Sequence, residues 1–133
     1  MKRIIKFLIK FTQYIIYNMT DIILSELIQN QIQDIDFDNK LLYNDIKRLR
    51  NYIGTSIFGD ECSIWKGYSS IKNNHKHIDF YLNKKKKILF RLLYINYKHK
   101  LNDNEYIRNI CSNNGNCCNI NHLTITNTKK YIK

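Results

Sequence analysis

Five side chains able to ligate a soft metal stand out in this chain: Cys62, Cys111, Cys117, Cys118 and His122. Three of the four cysteines and one of the four histidines fall within ICSNNGNCCNINHLTI, Ile110 to Ile125. Five residues separate Cys111 from Cys117, four separate Cys117 from His122, and Cys62 lies far upstream. Three thiolates and one imidazole make a closed tetrahedral shell that suits zinc. The intervening SNNGN offers small polar residues and one glycine, Gly115, able to take positive φ. On spacing alone, four free thiols are the alternative. The opening MKRIIKFLIKFTQYIIYNM is interrupted by Lys6 and Lys10 and has no small-residue cleavage site. It therefore reads neither as a secretory signal nor as a membrane span. The implied setting is an intracellular, reducing compartment (cytoplasm, nucleus or viral factory), where clustered Cys and His are metal ligands more often than disulfides.

Such ligands must be delivered by the elements around them. Residues 3–17 follow helical order and are basic, which gives an amphipathic helix for packing or for membrane-surface contact by residues 1–18. Met19 is an alternative start. A helix is predicted over residues 21–33, capped by Asp21, and a second over 39–53, ended by Gly54. SIWKGYSS suggests a strand and turn. HIDFYLN alternates, Lys84–Lys87 reads as a hairpin tip, and ILF returns. Residues 90–100 suit a helix, Tyr106–Ile110 a strand, His122–Thr126 another, and NTKKYIK a last helical turn. The expected fold is α+β: a helical N-terminal segment, 1–59, followed by a small zinc-stabilised domain, 60–133.

Ile, Asn, Lys and Tyr number 23, 18, 17 and 10 of 133 residues. That bias points to an AT-rich coding sequence, of the kind some protists and large DNA viruses carry, and it weakens arguments from Asn or Lys frequency. The charge distribution survives the discount. Residues 1–61 hold 8 basic and 8 acidic side chains, whereas 62–133 hold 14 and 3, so the whole net charge of +11 sits on the cysteine-bearing half. A basic half of this kind most often meets nucleic acid.

CSIWKG, then FRLLY, then ICSNNGNCCNINHL together resemble the zinc-binding-loop branch of the HNH, or His-Me finger, endonucleases. That family's pattern runs C-x-x-W-x-G, H-R-x-x-Y and R-H-x-C-x4-C-x-N-P-x-H-L. Cys62, Trp65 and Gly67 match the first block, Arg91 and Tyr94 the second, and Arg108, Cys111, Cys117, Asn119, His122 and Leu123 the third, over about half the chain. The resemblance implies a ββα-type domain in which Cys62, Cys111, Cys117 and His122 hold one structural zinc. The loop is one residue longer than usual, and Cys118 stands where Val is common, making it an alternate ligand. Cys117 keeps the family's distance to the histidine. Ile120 replaces the usual Pro.

The family's chemistry is another matter. Its R-H-x-C histidine is a general base that activates water, beside a magnesium held in part by an Asn on the following helix. Here the base position is Asn109, whose amide accepts no proton near neutral pH. The magnesium-ligand position falls on Tyr131, with Asn127 the nearest alternative, and Phe90 precedes Arg91 where His is usual. His75, His77 and His99 are the available substitutes. The pattern implies a scaffold that kept its zinc and lost most of its catalysis. Retained activity would make it a Mg2+-dependent DNA endonuclease of homing type.

What remains is binding of DNA, or secondarily RNA, through phosphate contacts from Lys84, Lys85, Lys86, Lys87, Arg91, Lys98, Lys100, Arg108, Lys129 and Lys130. Trp65, Tyr68 and Tyr81 are candidates for base stacking, with Trp65 also a candidate for the core beside the zinc. A third reading is a protein-interaction module built on the N-terminal helices.

Overall fold

The computed structural model describes residues 21–113 and 115–127. The proposed helix over 3–17, the terminal helical turn, and Lys129, Lys130 and Tyr131 lie outside the described residues. Within them the chain is mixed α and β, with three helices and three two-stranded antiparallel sheets. In chain order these are α1 (Ile22–Gln29), α2 (Tyr43–Arg50), β1 (Ser70–Lys72), β2 (His75–His77), β3 (Asp79–Leu82), β4 (Lys85–Ile88), α3 (Leu89–Tyr97), β5 (Tyr106–Asn109), a 3-10 turn (Ile120–His122) and β6 (Leu123–Thr126).

Both early helices are shorter than their apolar periodicity predicts, and one side chain on α3 holds the segment between them. Asn96 is fully buried. Its Nδ2 donates to the carbonyls of Asn39 and Leu92, both at 2.8 Å, while its Oδ1 accepts from Leu41 N at 3.0 Å and Gln31 Nε2 at 2.8 Å. Ile32 N also donates to the Asn96 carbonyl at 2.9 Å. These bonds hold residues 31–41 in a non-helical path with a turn at 37–39, so α1 stops at Gln29 and α2 begins at Tyr43. A buried amide satisfied on both sides outweighs the weak helical preference of a few surface residues. Asp21 caps α1 as expected, accepting from Leu24 N at 3.0 Å, and its carboxylate also takes Arg50 Nε at 2.8 Å, tying the start of α1 to the end of α2. Helix α2 ends before Gly54 because Ile53 pairs with Trp65.

Helix α3 is the centre of the molecule, with seven of its nine residues buried. One continuous apolar cluster includes Leu24 and Leu27 of α1, Ile46 and Leu49 of α2, Phe80 and Leu82 of β3, Leu92 and Leu93 of α3, and Leu123 of β6. The boundary proposed near residue 59 is therefore not a break in packing. Tyr97 Oη donates to the Leu27 carbonyl at 2.9 Å, joining the two ends of the core.

The lysine run is not a hairpin tip. Asn83 and Lys84 form the turn, both with positive φ (52° and 64°), and Lys85–Ile88 is the returning strand, with Phe80 opposite Lys87 and Tyr81 opposite Lys86. A second such hairpin, β1–β2, turns on Asn73 and Asn74 with φ of 51° and 66°. Two successive left-handed residues match the twist of a tight hairpin, and Asn tolerates that region well.

Candidate metal centre

Strands β5 and β6 form a hairpin whose connection, residues 110–122, is the cysteine loop; Asn109 lies opposite Leu123 at its neck. Cys62 reaches this loop by backbone pairing. Trp65 N donates to the Asn116 carbonyl at 2.9 Å, Cys118 N to the Ser63 carbonyl at 2.6 Å, and Ile64 bridges Cys117. The 62–65 segment thus runs antiparallel to 116–118.

The sulfurs of Cys62, Cys111 and Cys117 and a ring nitrogen of His122 all lie within 4.8 Å of one another. His122 Nδ1 is 3.5 Å from Cys62 Sγ and 3.4 Å from Cys117 Sγ. For metal–sulfur bonds near 2.3 Å and metal–nitrogen bonds near 2.0–2.1 Å, a tetrahedral S···N edge is about 3.5 Å. Both S···N distances to His122 thus match a four-coordinate ion, and all four ligand atoms lie within 4.8 Å. His122 Nε2 lies 2.9 Å from the Asp60 carbonyl. A carbonyl only accepts, so Nε2 carries the proton and the Nδ1 lone pair faces the sulfurs, the orientation that metal-bound imidazoles take from such partners. These four side chains can hold a metal ion.

The thiols differ in environment. Cys62 is drawn down to about 7, chiefly by the Asn113 side chain, with Cys117, Cys111 and His122 adding to the effect. Burial pushes Cys117 up to about 11, reinforced by the sulfurs of Cys62 and Cys111. Cys118 does not compete for the site. It is fully buried in the apolar cluster, burial raises its thiol far above the ordinary range, and it is no member of the convergent group. Adjacent residues in the extended 117–118 segment point to opposite sides, so only one of the pair faces the site.

Two asparagines that build the site carry no such role in the sequence reading. The Asn119 side chain donates to the carbonyls of Gly59 (2.9 Å) and Glu61 (2.6 Å) and accepts from Asn121 N (2.8 Å), so it holds the segment that brings in Asp60 and Cys62. Its backbone N–H also faces Cys117 Sγ at 3.4 Å. Asn109, set at the general-base position by resemblance, is buried and inward-facing. Its Nδ2 donates to the carbonyls of Cys117 (3.2 Å) and His122 (3.3 Å), while its Oδ1 accepts from Gly115 N (2.8 Å) and Cys117 N (3.4 Å). The amide therefore spans the loop as a brace. The sequence signal for both was an Asn two residues from a ligand, which an Asn-rich composition obscures.

Gly67 and Trp65 explain each other. Trp65 is buried, and a Cβ at residue 67 would lie 2.8 Å from its ring carbons. Gly67→Ala should therefore lower stability by about 1–3 kcal/mol through overpacking, read as a fall in the denaturation midpoint. Gly115 takes φ +84° within the loop, and a Cβ there would meet the Lys76 side chain at 3.0 Å.

The residues proposed to meet phosphate do not form one surface. Lys84, Lys85, Lys86 and Arg108 are exposed. Lys87 is half-buried and reaches Asn39 Oδ1 at 3.4 Å, and Lys98 caps the end of α3. Arg91 binds the carbonyls of Glu105 and Asn102, and Lys100 pairs with Asp34 at 3.1 Å. Lys87, Arg91 and Lys100 line a cavity of about 500 Å³ shared with Asp34, Asp36 and Asp103. Of the three, Lys100 pairs with a carboxylate, while Arg91 and Lys87 are held by backbone and amide oxygens. Trp65 belongs to the core, whereas Tyr68 and Tyr81 are exposed. The histidines considered as substitute bases are elsewhere engaged: His77 Nε2 is 2.9 Å from Asp79 Oδ1, His99 packs edge-on against Tyr94, and His75 lies in β2. Asn127 is exposed just past β6. No described helix is long and apolar enough to cross a membrane.

Fold and site together define a mixed α/β protein whose last hairpin is closed by three cysteines and a histidine able to hold a metal ion. The chain is 48% identical over 104 residues to the uncharacterized protein R328 of Acanthamoeba polyphaga mimivirus, a match covering 75% of this chain and 30% of that protein. The chain thus spans less than a third of the length of the curated relative it matches. A relative in a large DNA virus accords with the AT-rich composition. No family model matches the chain, and no solved structure does.

Proposed function

We propose that the protein binds nucleic acid on a scaffold stabilised by one structural Zn2+, that this scaffold derives from an HNH endonuclease, and that it cleaves weakly or not at all. The observation that carries the reading is the fate of Asn109. At the position where the resembling enzymes place their base, this chain has a buried amide with its hydrogen-bonding capacity spent on the loop that holds the metal ligands. Losing a positioned base costs about 10²–10⁴ in rate. Zinc is favoured by the donor set, since three cysteine sulfurs and an imidazole nitrogen converging within 4.8 Å suit it and not Mg2+ or Ca2+. Here Cys62, Cys111, Cys117 and His122 would hold the ion, and its contribution is to close the hairpin. DNA is the first partner, on the net charge of +11.

The test is retention of the full chain on DNA across a salt series, paired with plasmid incubation in Mg2+ or Mn2+. Expected is binding that weakens with a log–log slope of about −0.9 per contacted phosphate, without nicking. Absence of salt-dependent retention would favour a protein-interaction role. Nicking that disappears in His99→Ala or Arg108→Ala would replace the binding-protein reading with an active endonuclease.

A further inference from the structure

We infer that the outer face of the β1–β2 and β3–β4 hairpins cleaves RNA without a metal ion, with His77 as general base, His75 as general acid, and Lys72 and Lys86 meeting the phosphate. The inference rests on the nucleic-acid reading above, with RNA as the strand bound, and adds to it an activity that does not use the cysteine site. Plasmid DNA would still stay intact, because the reaction needs a ribose 2′-hydroxyl.

The register places these side chains on one face. Strand β2 runs into β3 with only Ile78 between them, and burial alternates across the junction. Ile78, Phe80 and Leu82 are buried, while His75, His77, Asp79 and Tyr81 alternate with them on the outer side. Two contacts agree with this alternation. His77 Nε2 lies 2.9 Å from Asp79 Oδ1, and Lys86 Nζ lies 3.6 Å from Asp79 Oδ2. Lys86 stands opposite Tyr81, Lys72 opposite His75 and Ser70 opposite His77, and directly opposed residues share a face. Lys76 points the other way, where a Cβ on Gly115 of the cysteine loop would lie 3.0 Å from its own Cβ. The histidine face is therefore the one away from that loop.

A carboxylate only accepts, so His77 Nε2 carries the proton and Nδ1 keeps the lone pair. An imidazole oriented in this way by an acidic partner is a general base. His75 follows the same strand two residues away, about 6.6 Å by backbone rise. In-line displacement at phosphorus needs a base and an acid on opposite sides of one phosphate, a span of that order. Nδ1 of His77 takes the proton of the 2′-hydroxyl, whose oxygen bonds to the adjacent phosphorus. The bond from phosphorus to the 5′-oxygen breaks, and protonated His75 gives that oxygen its proton. The products are a 2′,3′-cyclic phosphate and a 5′-hydroxyl, and nothing is oxidised or reduced. The nucleophile belongs to the substrate, so no metal-activated water is required. Lys72 and Lys86 oppose the charge gathering on the non-bridging oxygens. Tyr81, 59% exposed beside Lys86, offers its ring to a neighbouring base.

The experiment incubates the full, zinc-loaded chain with a labelled RNA oligonucleotide and with DNA of the same sequence, in buffer freed of Mg2+ on a chelating resin. RNA should be cut and DNA left whole, and mass spectrometry should find cyclic-phosphate ends. RNA carrying 2′-deoxyribose at the cut site should resist. His77→Gln and His75→Gln should each slow cleavage by about 10²-fold or more, with RNA retention and the circular dichroism spectrum unchanged. Asp79 is a positioning residue: Asp79→Asn should slow cleavage by about tenfold and move the acidic limb of the pH–rate profile to lower pH, since the imidazolium loses its anionic partner. Cleavage that persists in both histidine variants, or that cuts the deoxy-substituted RNA equally, would overturn the assigned site. RNA retained in a salt-dependent way but left intact would overturn the activity and leave nucleic-acid binding standing. Loss of salt-dependent retention for RNA and DNA alike would overturn the underlying reading as well.

Discussion

Stripping the metal from the Cys62, Cys111, Cys117 and His122 site should cost the protein its folded C-terminal hairpin. Apparent binding free energies of structural zinc are about 10–16 kcal/mol at neutral pH, comparable to or larger than the roughly 5–15 kcal/mol by which a small domain is stable at all. The local architecture shows why the loss would spread. The 62–65 segment is held to the loop by a few backbone bonds, and Trp65 is buried between Tyr52, 5.1 Å away by ring centroids, and the chain at Asn116. Without an ion, the ligand atoms of Cys62, Cys111, Cys117 and His122 would have nothing to hold them within 4.8 Å of one another. The expected result of chelation is a fall in Tm of about 20 °C or more and a red shift of Trp65 emission, both reversed by Zn2+. Cys111→Ser should reproduce the effect without chelator, and metal analysis should give one ion per chain for the parent protein. Uptake should also depend on pH with a definite sign. Cys62 ionises near neutrality but burial keeps the Cys117 thiol protonated, so a metal ion must expel protons to bind. Affinity should therefore rise with pH, and calorimetry in buffers of different ionisation enthalpy should register proton release. An unchanged Tm in chelator would refute a structural metal here.

Asn109 carries the second large effect. Asn109→Ala strips partners from Gly115 N, Cys117 N and the Cys117 and His122 carbonyls. Each buried group left unsatisfied costs about 1–3 kcal/mol. Water can recover part of this where the loop is half exposed, so the net loss should be roughly 3 kcal/mol. Asn109→Asp is the sharper test. It keeps the shape but turns a carboxylate oxygen toward two carbonyl oxygens now at 3.2 and 3.3 Å, and it should destabilise at least as much despite the smaller change in volume. Asn109→His restores the base of the resembling enzymes in name only. One donor and one acceptor cannot reproduce the four bonds of the amide, so this variant should lose stability without gaining nicking activity. Urea denaturation of the zinc-loaded protein reads the first two variants, and plasmid incubation the third. If Asn109→Asp were as stable as the parent, the brace would be dismissed. If Asn109→His cleaved DNA, the chain would be an endonuclease lacking only its base.

The metal ligands were legible in the sequence because ligation is chemistry tied to side-chain type. Spacing alone left free thiols open, and it was the resemblance to the HNH blocks that grouped Cys62, Cys111, Cys117 and His122; the fold does bring all four together. The central helix was legible as well: it was expected over 90–100 and runs Leu89–Tyr97, buried nearly all round with seven of nine residues covered. The end of α1 and the start of α2 were not. They are set by Asn96, whose partners lie 55 and more residues away for Leu41, Asn39 and Gln31. The exclusion of Cys118 was decided the same way, by which side of an extended segment meets the core. The lysine run was misplaced because a turn is defined by backbone handedness at Asn83 and Lys84, and Asn is too common in this chain to mark one. The proposed phosphate contacts separate in three dimensions: Lys87, Arg91 and Lys100 line a cavity with Asp34, Asp36 and Asp103, while Lys84, Lys85, Lys86 and Arg108 are exposed. Sequence by itself thus determined which atoms could bind a metal. Which amides brace, which cations stay available and which thiol is buried came only from tertiary packing, because hydrogen bonds and charges are satisfied by neighbours in space and leave no local period behind.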